Sequence, residues 1–248
     1  GGRSSGYVSG CWPYPRYHPC GLGCHPGSYP PDGRVTEEEA RAWLRSHFDV
    51  SRGTWDQLER FVAILLSSMD EQNLIAESTR AQIWARHIVD SAQLLLLVEG
   101  AATGTWVDLG AGAGLPGIVI SCLGKQPVLM IEARRKRVDF LNAVIAELGL
   151  QHADVFGGRV ESAPAMHAAV ISARAYAPLD KLLHSALHLS HRNSLWVLPK
   201  GRTAKNELEA VRPSWQGVFH VEPSVTDADS AIIVARNVAP AGKKKGRS

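Results

Sequence analysis

The sequence predicts an open α/β fold: a mostly parallel sheet of seven strands, covered by helices and preceded by a helical segment. Three observations predict it. From residue 106 onward, short apolar runs alternate with helix-periodic stretches, the pattern of parallel strands joined by crossover helices. The first run, 106–109, breaks into a glycine-dense turn, D-L-G-A-G-A-G-L-P-G at 108–117, as strand-to-helix loops on doubly wound sheets do. The last two runs, 218–221 and 232–235, are joined by the short linker 226–230, which suits an antiparallel hairpin closing the series.

The chain of 248 residues carries a net charge of +3, enough length for a sizeable core and a charge that permits an RNA partner without demanding one. Its expected division is a leader at 1–33, a single domain at 34–240 and a basic tail at 241–248 with Lys243, Lys244 and Lys245. Within the domain, 34–100 is the helical preface and 101–240 the α/β body. Eight glycines and six prolines fill 14 of the first 33 positions, a composition that cannot bury enough apolar surface to offset its ordering entropy. That stretch is expected to be disordered, or an artefact of the start site, since Gly1 stands where Met is usual. Cys11, Cys20, Cys24, His18 and His25 are spaced C-x8-C-x3-C-H, which is no standard zinc pattern, and no metal is expected. The longest apolar run, 94–98, falls far short of the ~18 residues of a membrane span. Without a signal-type apolar segment, and with Cys122 alone in the body, a soluble, reducing, cytoplasmic setting follows.

In the preface, Thr36-x-x-Glu39 reads as a capping box opening a helix through Ala40, Trp43 and Leu44. Thr54-x-x-Gln57 reads as a second box, and Leu58, Phe61, Val62, Leu65 and Met69 form one apolar stripe behind it. Residues 73–76 are expected as loop. Ser78 or Thr79 would cap a third helix through Ile83, Trp84, Ile88, Leu94 and Leu97. In the body, 128–131 is a strand ending at Glu132, and 134–148 a helix stopped by Gly149. Strands at 154–156 and 170–172 follow, then a helix opened by Pro178, a strand at 195–198 and the final pair.

Ligands of such sheets bind beyond the carboxyl ends of the strands, and that rule selects the candidate site. Gly110, Gly112 and Gly114 allow a sharp turn and close backbone approach. Pro116 suits a helix start, whose free N–H groups can hold an anionic group. Gly112, Gly114 and Gly117 spell the dinucleotide fingerprint G-x-G-x-x-G. The longer D-x-G-x-G-x-G, from Asp108 to Gly114, resembles motif I of the class I S-adenosylmethionine (SAM) methyltransferases. Glu132, 18 residues after Gly114, can accept hydrogen bonds from ribose hydroxyls. Val160 and Glu161 follow strand three, where an adenine would be bounded, and Arg174 follows strand four, where it can clamp a carboxylate or phosphate. Arg134, Arg135, Lys136 and Arg137 crowd a helix start that disfavours cations, which points to nucleic-acid contact. Lys200, after strand five, could meet RNA phosphate.

The strings N-L-I-A (73–76), R-H-I-V-D-S (86–91), D-L-G-A-G-A-G-L-P-G-I (108–118), K-R-V-D-F-L (136–141), R-V-E (159–161) and S-A-R-A-Y-A-P-L (172–179) occur in order. Together they resemble the RsmG (GidB) family, bacterial guanine-N7 methyltransferases of 16S ribosomal RNA. The resemblance implies a Rossmann-like class I SAM-dependent methyltransferase fold over roughly 36–238. It implies SAM as cofactor and 16S rRNA or a small-subunit precursor as partner. A monomer without membrane contact is expected. Gly110, Leu115, Val160, Glu161 and Arg174 would contact SAM, and Glu132 would sit by its ribose. Ile75 replaces the usual threonine of N-L-T-x, and Asp139 stands where a basic or polar residue is common. Guanine N7 carries a lone pair and no proton, so no catalytic acid or base is expected. Three other readings stay open: a nicotinamide-dependent oxidoreductase, a SAM-binding RNA adaptor without turnover, and a methyltransferase of a small molecule.

Overall fold

The computed structural model describes residues 35–98 and 103–242. The leader with its cysteines and the 243–248 tail lie outside the described residues. Helices α1 (Glu37–His47), α2 (Arg52–Ser67) and α3 (Asp90–Leu96) form the preface. The body follows as β1 (Trp106–Leu109), α4 (Gly117–Leu123), β2 (Val128–Glu132), α5 (Arg135–Leu148), β3 (Ala153–Gly157), β4 (Val170–Ala173), α6 (Leu179–Ala186), β5 (Leu195–Lys200), α7 (Ala204–Val211), β6 (Trp215–Pro223) and β7 (Ala231–Pro240). The seven strands form one sheet in the order β3-β2-β1-β4-β5-β7-β6. β1 to β5 pair in parallel, and β7 runs antiparallel to both β5 and β6. This is the expected sheet with its closing hairpin.

Alternation along the buried strands divides the core between the two faces of the sheet. Trp106, Met130, Val170 and Val197 pack with α1–α5 on one face. Val107, Leu109, Ile131, Ile171, Trp196 and Leu198 pack with α6 and α7 on the other. Such central strands, buried on both sides, need apolar residues at nearly every position. Asp108 and Ser172 are the polar exceptions in β1 and β4, both fully buried, and both bear on the site below.

The first capping box forms as expected: Thr36 Oγ1 accepts from Glu39 N–H at 3.2 Å, and Glu39 accepts from Thr36 N–H at 2.8 Å. The second does not. α2 starts three residues earlier, with Ser51 Oγ accepting from Thr54 N–H at 3.1 Å, while Gln57 reaches out to donate to the Leu148 carbonyl at 2.8 Å. Ser51 is the better cap because it leaves Thr54 inside the first turn. The third helix is not one α-helix but a 3₁₀ stretch Glu77–Gln82, a π-wound turn Trp84–Val89 and then α3. The amides of Trp84 and Ala85 donate to the Glu37 carboxylate, each at 3.0 Å. A side chain from α1 thus takes two donors that a regular helix would pair with its own carbonyls. α7 is not legible in the sequence; its eight residues bury only Ala204, Leu208 and Val211, too short a stripe to stand out. α5 ends where expected, with Gly149 in the left-handed region at φ 64°.

Candidate active site at the carboxyl edge of the sheet

The strand order reverses between β1 and its two neighbours. Leu109 lies beside Ile131 of β2 and Ala173 of β4, so Gly110, Glu132 and Arg174 leave the sheet close together. This is the switch point where open α/β sheets bind ligands. The turn after β1 holds Gly110, Gly112 and Gly114 at φ 63°, 57° and 82°. A Cβ at Gly114 would lie 2.4 Å from Ile118 Cγ1, and one at Gly110 would lie 2.6 Å from the Tyr176 ring. Tight packing beneath the loop therefore demands glycine at both, besides the backbone angle. At Gly112 the nearest atom is the tip of Arg137, 3.4 Å away.

Two buried carboxylates hold this turn. Asp108 Oδ2 accepts from Gly117 N–H at 3.0 Å and Oδ1 from the Ser172 hydroxyl at 2.8 Å, which in turn accepts from Trp106 Nε1 at 2.8 Å. Burial pushes the Asp108 carboxyl up to about 7 against the pull of those hydrogen bonds. Glu132 Oε2 accepts from Gly112 N–H at 2.9 Å and Oε1 from Arg134 N–H at 2.8 Å. The expectation of free helix-start amides is therefore corrected. Gly117 N–H serves Asp108, and Ile118 N–H serves the Gly114 carbonyl at 2.7 Å. Pro116 is the N-cap of α4, after a cis peptide, rather than its first helical residue. With Gly117 N–H on Asp108 and Ile118 N–H on Gly114, those two amides are not open to the pyrophosphate that the G-x-G-x-x-G reading would place there.

Leu115 and Val160 are buried and Glu161 is exposed on a 3₁₀ turn after β3. Gly158 N–H donates to the Glu132 carbonyl at 3.0 Å, which ties that turn to the end of β2. Arg134, Arg135 and Lys136 are exposed at the start of α5. Arg137 departs from them: it bends back to the loop, donating to the Asn73 carbonyl at 3.2 Å beside Gly112. Lys200 also departs from expectation. Its ammonium donates to Glu207 at 2.9 Å and to the Ala177 carbonyl at 2.8 Å, and its side chain is only 9 % exposed. Drawn in by the carboxylate of α7, it is not presented to an RNA phosphate.

Arg174 is the centre of a second cluster. Nη1 donates to His87 Nδ1 at 2.9 Å and lies 3.6 Å from Asp90 Oδ2. Because guanidinium only donates, His87 Nδ1 must be the acceptor and Nε2 the protonated nitrogen. That Nε2–H then donates to Thr79 Oγ1 at 2.8 Å, whose own hydrogen goes to the Ala76 carbonyl at 2.7 Å. Burial, then the cations of Arg174 and Arg86, pushes His87 down to about 3, so it stays neutral. The β6–β7 turn closes over this cluster. Arg86 pairs with Asp227, Thr226 Oγ1 donates to Asp90 at 3.2 Å, and Gln93 accepts from Val225 N–H at 2.9 Å. Between these parts lies a cleft of about 310 Å³, lined among others by Arg86, Asp90, Arg174, Lys200, Glu207 and Thr226. Sequence reasoning quotes Asp90 and Tyr176 only within the strings 86–91 and 172–179, without a site role, and misses Thr226 and Glu207. Those strings could have flagged Asp90 and Tyr176; Thr226 and Glu207 needed the tertiary structure.

Among solved structures, the chain resembles an O-methyltransferase from Bacillus cereus in complex with SAH, with TM-score 0.52 and 16 % identity, over 78 % of this chain and 95 % of that one. It also resembles a SAM-dependent methyltransferase from Aquifex aeolicus, with TM-score 0.51 and 14 % identity, over 69 % and 98 %. At such identities these establish the class I methyltransferase fold. The ribosomal RNA small subunit methyltransferase G of Sphingopyxis alaskensis is 49 % identical over 213 residues, 86 % of this chain and 91 % of that protein. Its namesake in Rhizorhabdus wittichii is 51 % identical over 216 residues, 86 % and 99 %. A family model described as rRNA small subunit methyltransferase G matches residues 54–232. On this agreement of sequence, fold and switch-point geometry, the chain belongs to the rRNA small subunit methyltransferase G family.

Proposed function

We propose that this protein is a SAM-dependent methyltransferase that methylates N7 of a guanine in 16S ribosomal RNA, acting in the cytoplasm on the rRNA or a small-subunit precursor. The observation that carries the reading, in a chain of this family, is the glycine turn clasped by Glu132 at the switch point. That donor set fits SAM. Glu132 accepts one backbone amide on each oxygen, which leaves each oxygen a further lone pair for a ribose hydroxyl, and the buried Val160 and Leu115 offer apolar walls to an adenine. Gly110, Gly112, Gly114, Leu115, Glu132, Val160, Glu161 and Arg174 would hold the cofactor. Asp108, fully buried with both oxygens engaged, acts by fixing the turn. When bound, SAM supplies an electrophilic methyl on a sulfonium sulfur.

The chain's residues orient and exclude water. Guanine N7 has no proton to remove, and neither His87 nor Asp108 is suited to removing one. His87 is neutral with both nitrogens engaged, and Asp108 is sealed in the core. Alignment of nucleophile and methyl can supply about 7–11 kcal/mol of the barrier. Arg134, Arg135 and Lys136 would meet RNA phosphates. The test uses methyl-labelled SAM with small ribosomal subunits from cells lacking this protein. Label recovered as 7-methylguanosine in 16S rRNA is expected, at a single-turnover rate level from mildly acidic to mildly basic pH. Absence of label from rRNA overturns the reading. A rate rising tenfold per pH unit would move the target to an atom that carries a proton.

A further inference from the structure

We propose that the protein holds its rRNA at a second place, a cleft on the amino edge of the sheet that binds a stretch of RNA backbone away from the target guanine. The proposal rests on the reading above and adds a docking surface to it. β7 runs against β5 and β6, so its end lies with the starts of those two strands. There the residues after α6 and the β6–β7 hairpin enclose a cleft of about 640 Å³. Leu187, Val218 and Val238 form its apolar side. Val218 is 46 % exposed, the one large hydrophobic residue so exposed among the described residues. His191, Arg192, Gln216 and Asn237 supply polar groups. The ladder is interrupted at this point. Asn237 and Val238 of β7 stand against Gly217 alone in β6, with Asn237 in the left-handed region at φ 54°. Bulges of this kind re-aim side chains next to functional sites.

The charge of this edge is one-signed. The described stretches leading into β1 to β6, at 103–105, 124–127, 149–152, 163–169, 190–194 and 212–214, contain no aspartate or glutamate. Arg192 in the cleft and Arg212 just before β6 are exposed and pair with no carboxylate among the described residues. At the carboxyl edge, by contrast, the cations lining the cleft are matched: Lys200 by Glu207, Arg86 by Asp227 and Arg174 by Asp90. Asn193 N–H donates to His191 Nδ1 at 3.1 Å, so the ring hydrogen sits on Nε2 and remains to be donated. The chain itself adds cations. Ala241 N–H donates to the Ser214 carbonyl at 2.8 Å, which pins the chain beside β6, and the sequence continues with Gly242, Lys243, Lys244 and Lys245. Lys243 is four residues past Ala239 of the cleft wall, a reach of about 14 Å at most. Guanidinium, ammonium and amide donors together are what a sugar–phosphate backbone recruits, and the apolar side suits a ribose or a base face. The parallel strands are four to six residues long, which separates the two edges by roughly 13–20 Å. Only an RNA extending well beyond the target base meets both.

The experiment measures filter binding of 16S rRNA over a salt series, SAM binding by calorimetry and methyl transfer to small ribosomal subunits, all with the full chain. Arg192→Ala with Arg212→Ala should lower the slope of log binding constant against log salt by about 0.7–0.9 for each phosphate no longer neutralised. KM for the RNA substrate should rise about tenfold while kcat and SAM Kd stay near wild type. Val218→Glu, which sets an acid in the cleft, should weaken RNA binding in the same way. A wild-type slope and KM in the arginine variant overturn the proposal. So does an equal loss in Arg52→Ala, an exposed arginine at the start of α2, because net charge rather than this cleft then governs binding. A fall in kcat or SAM affinity with KM unmoved also overturns it, since the change then acts on the catalytic site through the fold. Should Val218→Glu turn a dimer into a monomer in sedimentation with RNA binding intact, the cleft is an interface between copies of this chain instead. Absence of methyl transfer by the wild-type protein overturns the methyltransferase reading alone; rRNA binding needs no turnover and still decides the cleft. If Val218→Glu fails to fold, the pair of exposed arginines decides without it.

Discussion

Within the glycine turn, neighbouring glycines are needed for different reasons, and substitution separates them. A side chain at Gly112 meets the positive φ, the tip of Arg137 at 3.4 Å and the Gly110 carbonyl at 3.7 Å. Gly112→Ala should cost about 1–2 kcal/mol of stability. Gly114→Ala adds a Cβ 2.4 Å from Ile118 and should cost about 1–3 kcal/mol more through overpacking. Urea unfolding of the two variants checks the order. His87 provides a pH test. Its folded value of about 3 lies below the ordinary 6.5, so between those values the unfolded chain binds the extra proton. The stability His87 confers is complete above pH 6.5 and is lost as pH falls toward 3. Wild type should exceed His87→Gln in stability at pH 7, and the gap should narrow by pH 5. Asp108, raised to about 7, has the opposite sign. Its contribution fades as pH rises from 3.8 to 7, but it is common to both proteins and cancels in the difference. An unchanged gap would mean that His87 is not held neutral.

At the scale of elements, the start of α5 and the junction of β5 with α7 carry basic residues that look equivalent in sequence and are not. Arg134, Arg135 and Lys136 are exposed, and Asp139 stands 3.9 Å from Arg135, whose side chain is 93 % exposed, a pairing worth little in water. Arg134→Ala with Arg135→Ala should lower the slope of log binding constant against log salt by about 0.7–0.9 for each phosphate no longer neutralised. SAM affinity should stay near the wild-type value. Lys200→Ala should leave that slope alone and destabilise the fold by about 1.5–3 kcal/mol, the scale of a hydrogen bond to a charged group. Filter binding across a salt series, beside thermal melting, separates the two. A flattened slope in the Lys200 variant would return that residue to the RNA surface.

For the whole molecule, the preface is built into the body. α2 packs on α4 and α5, Gln57 and Arg60 reach the end of α5, and one apolar cluster runs from Trp43 through Ile118 to Val234. We propose that 34–240 folds as one domain. Fluorescence of Trp43, Trp55 and Trp84 in the preface and of Trp106, Trp196 and Trp215 in the body should then report a single urea midpoint. Single-tryptophan variants check this, and two separated midpoints would divide the domain.

The sequence by itself determined the order of the strands along the chain, the glycine turn, the acid at the end of β2 and the closing hairpin. Each is a local pattern: a period, a spacing, a residue that tolerates a special backbone angle. It also carried the family strings. What it could not determine are the partners of charged groups. Lys200 and Arg134 are both strand- or helix-end cations in sequence, yet Glu207, seven residues on, takes one and leaves the other to water. Free amides at the start of α4 are a sound local inference, overturned because Asp108 lies beneath them. The Asp90–Arg174–His87 cluster joins residues 84 positions apart in the chain. Only the tertiary structure decided these, because a charge is satisfied by whatever lies within a few ångströms, and chain distance says nothing of that.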